Sequence, residues 1–540
     1  MDRKRLLPLL ATFGFVLAAC PADDEPGGET ESDTDPTTST TTATGTGTDT
    51  DTATGTDTAT DTDTGTGTGT DTDTDTAGTE ATIRVVHASP NAGTVDIYVD
   101  GDLSAPVIDD LSYTETSPYL PVPAGDHTFV IYAGDADPAA DDPVFTTGSL
   151  ALAEGSATTA VAAGLVGAEG DDAAFTVLAL EEGFEDPGAD LFAARVVHAG
   201  ADAPAVDLDV GDDDPATAEL TGVEFGQDSG AAGVALTAAT ALQLGIRAEL
   251  DAGSEGTEKV TAFTTPEVTA ASETFVIATG LLSCDPREEC GFGLLVVDGS
   301  GTVGLLRQNP TAYIFHGSAD AGNVDVCVDG TLLLDNVPFQ GSASLQVPPT
   351  DYTFAIYDGD LDCVGRALFT SPAITLAAGE RYLVAAIGER DPEGMDPAFT
   401  LLATAEAFTY NDGMTDGARL KSIHGASAPD VEIGTVNTAN DPPTIDADTD
   451  VIFDALGFGN ETAESDAIPA GDLDLGIALD MGTMYPKNSI FDFGQTVTDD
   501  SRLWLIAYGD AAGTLFVGSV DATDNSTLGT WVFDEDVTAP

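Results

Sequence analysis

From residue 81 onward the chain runs in short apolar stretches rich in Val, Ile, Thr and aromatic residues, divided by Gly, Pro, Asp and Asn. The stretches are strand-length and none carries the 3.6-residue period of an amphipathic helix, so the pattern predicts an all-β chain. One pair of stretches, RVVHASPNAGTVDIYVDG at 84–101, comes back three times: ARVVHAGADAPAVDLDVGD from Ala194, AYIFHGSADAGNVDVCVDG from Ala312, and a worn copy, RLKSIHGASAPDVEIGTVN, from Arg419. Its histidines, His87, His198, His316 and His424, are 111, 118 and 108 residues apart.

Other landmarks keep their order inside each copy. An aromatic follows at Tyr113, Phe225, Phe339 and Phe458, then a strand–turn–strand segment such as YLPVPAGDHTFVIYAGD from Tyr119. A small-residue strand ends each time in glycine, at Gly164, Gly280, Gly388 and Gly509, and a last apolar run such as FTVLAL from Phe175 follows. About 100 residues with six or seven short strands suit a sandwich able to bury its own core. The predicted fold is four tandem immunoglobulin-like antiparallel β-sandwich units at 81–183, 192–308, 311–408 and 418–540. The predicted joints are EDPGAD at 185–190, LRQNP at 306–310 and NDGMTDG at 411–417, each rich in turn formers.

The first 80 residues obey a different pattern. Arg3, Lys4 and Arg5 precede an apolar stretch from Leu6 to Ala19, too short to span a bilayer comfortably, which reads as a signal peptide over 1–19. Its end, Leu17-Ala18-Ala19-Cys20, resembles a bacterial lipobox, and that resemblance implies lipidation of Cys20. Residues 20–80 then form a Thr/Asp/Gly-rich stalk: every even position from Thr42 to Thr76 is threonine, between Ala, Gly or Asp. With no apolar face to bury, nothing offsets the entropy of ordering it, and it is expected to be disordered. Its 16 carboxylates over 21–80 face no Lys or Arg, so self-repulsion should extend it.

Charge narrows the partners. The chain has 94 acidic and 16 basic side chains, a formal net charge of −78 that excludes simple electrostatic attraction to nucleic acid. Clustered carboxylates are ligands that calcium prefers, and GDADPAADD from Gly134 and DGDLDC from Asp358 are the candidate loops; solvated acidic hairpin tips are the competing reading. Besides Cys20 there are four cysteines, Cys284, Cys290, Cys327 and Cys363, which allow three disulfide connectivities. Proximity within one repeat favours Cys284 with Cys290 and Cys327 with Cys363.

Two chemical readings of the histidine stretch compete. His87, Ser89 and Asp96 supply the residue types of a hydrolytic triad. The copies argue against it, because Gly200 and Ala426 take the serine position in the second and fourth while the histidine stays. Ser229 in GQDSG answers to TETSP in the first copy and reads as a polar strand entrance. A shared metal needs converging ligands, and the four histidines lie in separate units. The remaining reading is structural, with each ring bonded to the recurrent carboxylate Asp96, Asp207, Asp325 or Glu432 and so pinning the first hairpin.

The opening R-V-V-H-A-S-P…V-D-I-Y-V-D-G, the V-P-A-G turn and the V-A-A-G strand resemble a bacterial secreted family catalogued as domain of unknown function 4397. The likeness is clearest over 81–183 and 311–408, weaker in the middle of 192–308, and weakest in the fourth unit, where Ser422-Ile423-His424 replaces the usual valines. It implies extracytoplasmic β-domains, often in tandem and in lipoproteins, and carries no activity or catalytic residue. The functional expectation is a non-enzymatic lipoprotein of the outer membrane or cell surface, anchored through its lipid and displaying modules for adhesion or envelope binding. Its expected partner is an envelope polysaccharide or a surface protein. A passive envelope spacer, calcium-dependent carbohydrate binding and an unrecognised hydrolase are the alternatives; no resident cofactor is expected other than calcium.

Overall fold

The computed structural model of the chain describes residues 80–533 except 169, 171, 212–217, 249–257, 360, 409–416, 481, 483, 499–500, 510–514 and 522–530. The signal segment, Cys20 and the stalk up to residue 79 lie outside the described residues, as does most of the 411–417 joint. The described residues belong to one compact unit. Among the described residues no helix is long and apolar enough to cross a membrane.

The first repeat sets the plan. One sheet has the order Thr176–Glu181, Ala157–Ala163, Glu80–His87, Leu120–Pro123. The other runs Ile108–Leu111, Val95–Val99, Phe129–Ala133, Phe145–Thr146. A core of Ile83, Val85, Val95, Ile97, Phe129 and Ile131 fills the space between them. The second and third repeats follow the same plan around cores of their own. The fourth has its own core too, but its histidine strand, Arg419–His424, lies at the sheet edge and Trp531–Phe533 extends the sheet at the other end. The second repeat adds a hairpin strand, Gly301–Arg307, that runs into the predicted 306–310 joint. In that joint Gln308 and Asn309 are buried and hydrogen-bonded to Thr261 and Thr264.

One pairing departs from an all-antiparallel sandwich. The strand ending in the signature histidine pairs parallel with the small-residue strand, Glu80–His87 with Ala157–Ala163, and this recurs at Leu191–His198, Thr311–His316 and Arg419–His424. The glycine closing the small-residue strand has a positive φ, +80° at Gly164 and +82° at Gly280, where glycine is least strained. A Cβ at Gly164 would also sit 2.3 Å from the Ala174 carbonyl oxygen.

The histidine sheets are buried on both faces, which explains why RVVHA reads as an uninterrupted apolar run rather than an alternation. Successive side chains point to opposite faces of a strand. Val85 joins the core of its own repeat, while Val86 and Ala88 pack on Val197, Ala199, Phe275 and Ile277 of the second repeat. The third and fourth repeats meet in the same way, through Tyr313, Phe315 and Ile387 against Ile423, Trp504 and Tyr508.

The contact between these two pairs is polar. Arg287 of the second repeat bonds Glu406 Oε1 at 3.4 Å and the Phe408 carbonyl at 3.0 Å in the third. Arg381 Nη1 lies 3.4 Å from Glu406 Oε2, and Arg381 Nη2 lies 4.0 Å from Asp285 of the second repeat.

Candidate functional site

Each signature histidine sits at the inner end of its strand, in phase with the core residues, and is at most 2% exposed. The ring Nε2–H donates to a backbone carbonyl in the loop that follows: Gly93 at 2.8 Å for His87, Pro204 at 2.9 Å for His198, Gly322 at 2.7 Å for His316, and Pro429 at 3.0 Å for His424. A carbonyl can only accept, so the ring proton is on Nε2. Nδ1 accepts the backbone N–H of Ser89 at 3.3 Å and of Ser318 at 3.4 Å in the first and third repeats. Burial pushes all four imidazoles below their usual range and so favours the neutral ring.

The aromatic that recurs in the sequence packs on this ring. Tyr113, Phe225, Phe339 and Phe458 meet their histidines edge-to-face with centroids 6.2, 6.3, 6.3 and 6.2 Å apart. The segment after each aromatic also brackets the histidine backbone: Thr114 N–H donates to His87 O at 2.8 Å, and His87 N–H to Glu115 O at 2.9 Å. Sequence reading missed one more member, a polar residue four positions after the histidine. The Asn91 side chain exchanges two bonds with the Val166 backbone, and Asp202 and Asp320 accept the matching amides in the second and third repeats.

The recurrent carboxylate does not meet the histidine. Asp96 alternates with Val95 and Ile97, both in the core, so it points to the outer face of its sheet while His87 points inward. Its Oδ1 accepts the N–H of Asp110, a residue at φ +51° where the strand register shifts. Asp207 does the same for Gly222 at 2.7 Å, and Asp325 for Asn336 at 2.9 Å. These acids hold a β-bulge, which accounts for the aspartate in each V-D-x-x-V stretch. Glu432 stands in the same place in the fourth repeat and bonds Lys487 Nζ instead.

Neither serine forms a dyad with histidine. The Ser89 hydroxyl donates to Gly164 O at 2.6 Å, and Ser229 Oγ accepts Val196 N–H at 3.0 Å, as Ser117 Oγ does for Val85 N–H at 2.9 Å. In the loop from Gly134, Asp141 accepts Asp137 N–H and Asp137 accepts Ala139 N–H, a self-contained turn. In the loop from Asp358, Asp358 pairs with Arg390. Asp362 instead lies with Asp325 and Asp335, their carboxylate oxygens within 4.8 Å of one another, a donor set suited to a hard cation. Disulfides join Cys284 to Cys290 and Cys327 to Cys363.

Three recesses lie among the described residues besides these clusters. A shallow groove of about 610 Å³ in the first repeat is lined by Val107, Asp109, Glu115 and Pro118, with Ser300 and Thr302 of the second. A matching groove of about 610 Å³ lies in the fourth repeat between the strand Val451–Leu456 and residues 460–466. A small apolar cavity of about 50 Å³ lies beneath Phe192, Leu236, Val268 and Val276.

These features define a class: tandem β-sandwich units that pack in pairs, each with a buried histidine bonded to its own loop. The family model described as Domain of unknown function (DUF4397) matches residues 81–209 and 310–434, and in those two stretches the chain belongs to that family, in tandem copies. Each match covers an odd-numbered repeat and runs through the histidine strand of the next. No curated protein matches the chain. Solved structures similar to it include alpha-glucan-recognising family 41 carbohydrate-binding modules from streptococcal virulence factors, at 13% identity over 36% of this chain and 93% of that one, with a TM-score of 0.14. Another is the Bacillus anthracis TIE protein, at 9% identity over 80% of this chain and 67% of that one, with a TM-score of 0.13. Scores this low carry no argument about fold or ligand.

Proposed function

We propose that the chain is a non-catalytic surface lipoprotein, held through Cys20 and a stalk over 20–80, whose repeats display binding surfaces to envelope polysaccharide or a surface protein. One observation carries the non-catalytic part: in each repeat the histidine Nε2 is spent on a backbone carbonyl of its own loop. Repeating that constellation builds folds, not active sites, since a nucleophile–base pair acts as a unit. Binding is favoured over a passive spacer by the paired architecture. Packing the histidine sheets together leaves the second sheet of each repeat facing away, and the first and fourth repeats carry matching open grooves. Linked weak sites gain effective concentration without any new contact.

Retention of the 81–540 fragment on purified envelope polysaccharides and on cells lacking the protein tests this reading, with and without calcium. Saturable retention that falls when the Asp109 and Glu464 grooves are altered supports display for binding. No retention on any surface leaves the spacer reading, and retention only with calcium directs attention to the Asp325, Asp335 and Asp362 cluster.

A further inference from the structure

The chain has only four lysines, and one of them, Lys487, has a side chain 1% exposed. It opens the strand Lys487–Val497 and reaches across Gly471–Leu479 to bond Glu432 on Val431–Thr435, whose own side chain is 2% exposed. Other groups close around the pair. The Tyr485 ring lies 4.6 Å from Nζ, and its hydroxyl donates to Glu432 Oε2 at 3.4 Å. A carboxylate oxygen of Asp454, an exposed residue, lies within 4.8 Å of one of Glu432, and Asp480 Oδ1 lies 3.8 Å from Nζ.

An amine and a carboxyl buried in contact, with a further carboxyl beside the acceptor, is the arrangement that amide condensation requires. The reactants are already oriented, and a proton carrier lies next to the group that must leave. Burying an ion pair also costs desolvation of both charges, a cost that a neutral amide would not carry. Where the other repeats place an aspartate that holds a bulge amide, this one has a side chain longer by one methylene and turned to the lysine.

We infer that Lys487 Nζ and Glu432 Cδ are joined by an intramolecular isopeptide bond that the fold itself forms, with Asp454 as the proton carrier. The ammonium gives one proton to the Glu432 carboxylate, and the free amine attacks Cδ of the neutral acid to form the N–C bond. The nitrogen then gives its second proton to the Asp454 carboxylate, which passes it to the departing hydroxyl as the C–O bond breaks. One water leaves; net charge, oxidation state and the Asp454 carboxylate are unchanged. Burial and Asp454 raise the Glu432 carboxyl above its usual range, which favours the neutral, electrophilic acid, while Lys487 opposes that shift. The product would staple Val431–Thr435 to Lys487–Val497 over the strand between them.

Peptide mass spectrometry on the folded full chain, reduced and digested with trypsin, tests the bond. The expected result is an internally cross-linked peptide covering residues 422–502, uncut after Lys487 and lighter by one water than the same stretch in linear form, because trypsin has no site between Lys421 and Lys487. Glu432→Gln should give the same cross-linked peptide with loss of ammonia, and Lys487→Arg should give none. Folded Asp454→Ala should stay unlinked; if it links, Asp454 is not the carrier. Wild-type peptides found only in linear form, with normal cleavage after Lys487, overturn the proposal, and that measurement does not depend on any variant folding.

Discussion

Arg84 and Arg195 cross the interface between the first two repeats in opposite directions. Arg84 Nη1 donates to the carbonyl of Asp298, and Arg195 Nη1 to the carbonyl of Glu181 at 2.6 Å, each the last residue of the equivalent strand in the other repeat. Both guanidinium groups flank one ring, that of Phe275, at 5.6 and 5.7 Å. Reciprocal contacts of this kind are the mark of a two-fold interface, here built within one chain. The pair of repeats, rather than the single repeat, is therefore the unit that buries its apolar surface.

Phe275→Ala should accordingly destabilise both repeats together. The ring is 1% exposed, and deleting a buried phenylalanine costs about 3–5 kcal/mol. Chemical denaturation of the 81–308 fragment should show one transition moved to lower denaturant. The isolated 81–183 repeat, with Val86, Ala88 and Val161 uncovered, should self-associate where 81–308 stays monomeric; a soluble, monomeric 81–183 would contradict pairing as the folding unit.

The signature histidines set an acid limit. Burial lowers their folded pKa from 6.5, so on acidification the unfolded chain takes up protons before the folded chain does. Their contribution is complete above about pH 6.5 and is lost as pH falls toward the folded values. His87→Ala should lower the melting temperature at about pH 8, because Gly93 O and Ser89 N–H lose a partner worth about 1 kcal/mol each. It should also reduce the further fall between about pH 7 and pH 5. An unchanged slope would mean that His87 does not titrate with unfolding.

His127, outside the signature, should act with the opposite sign. Its Nδ1 lies 2.8 Å from Asp100 Oδ2 and its Nε2–H donates to Pro123 O at 2.7 Å; the Asp100 contact raises its pKa above 6.5. The stability it adds is present below about pH 6.5 and is lost as pH rises through the folded value. The third repeat keeps the carbonyl bond without the titration, since Tyr352 Oη donates to Pro348 O at 2.6 Å. His127→Tyr should therefore flatten the alkaline side of the melting profile while leaving the acid side to the signature histidines. Solvent at the exposed Asp100 side chain keeps the effect small.

Much of this was legible because the repeats served as their own comparison. The recurring aromatic was visible as a landmark, though not as the partner that packs on the histidine ring, and Gly164 and its counterparts marked the end of the small-residue strand. The carboxylate was misassigned to the ring even though period two in Val95-Asp96-Ile97 already placed it on the other face. Parallel pairing of the histidine strand was not legible, because strand direction is fixed by the connection through the second sheet and leaves no local signature. The paired faces had a signal that went unused. RVVHA and YIFH are apolar at consecutive positions, as strands covered on both sides are. Lys487 was hidden for another reason, since its partner lies 55 residues away.

The joint between the two pairs rests on charges, so it should fail differently from the apolar interfaces. Glu406 is fully buried and receives both Arg287 and Arg381, while Asp285, 3% exposed, bonds Arg287 Nε at 3.1 Å from the other side. Glu406→Gln keeps the shape but removes the charge those guanidinium groups face, and breaking a buried pair costs about 3–5 kcal/mol. Each pair of repeats keeps its own apolar interface, so the loss should fall on the joint. Small-angle scattering of the 81–540 fragment should show a longer, more variable particle, and protease should cut between 306 and 311, where Gln308 and Asn309 are now buried. Melting of each pair should hardly move. A variant that keeps the wild-type scattering profile and resists cleavage there would show that backbone contacts such as Gly379 N–H to Gln308 O at 2.7 Å hold the joint without the charges.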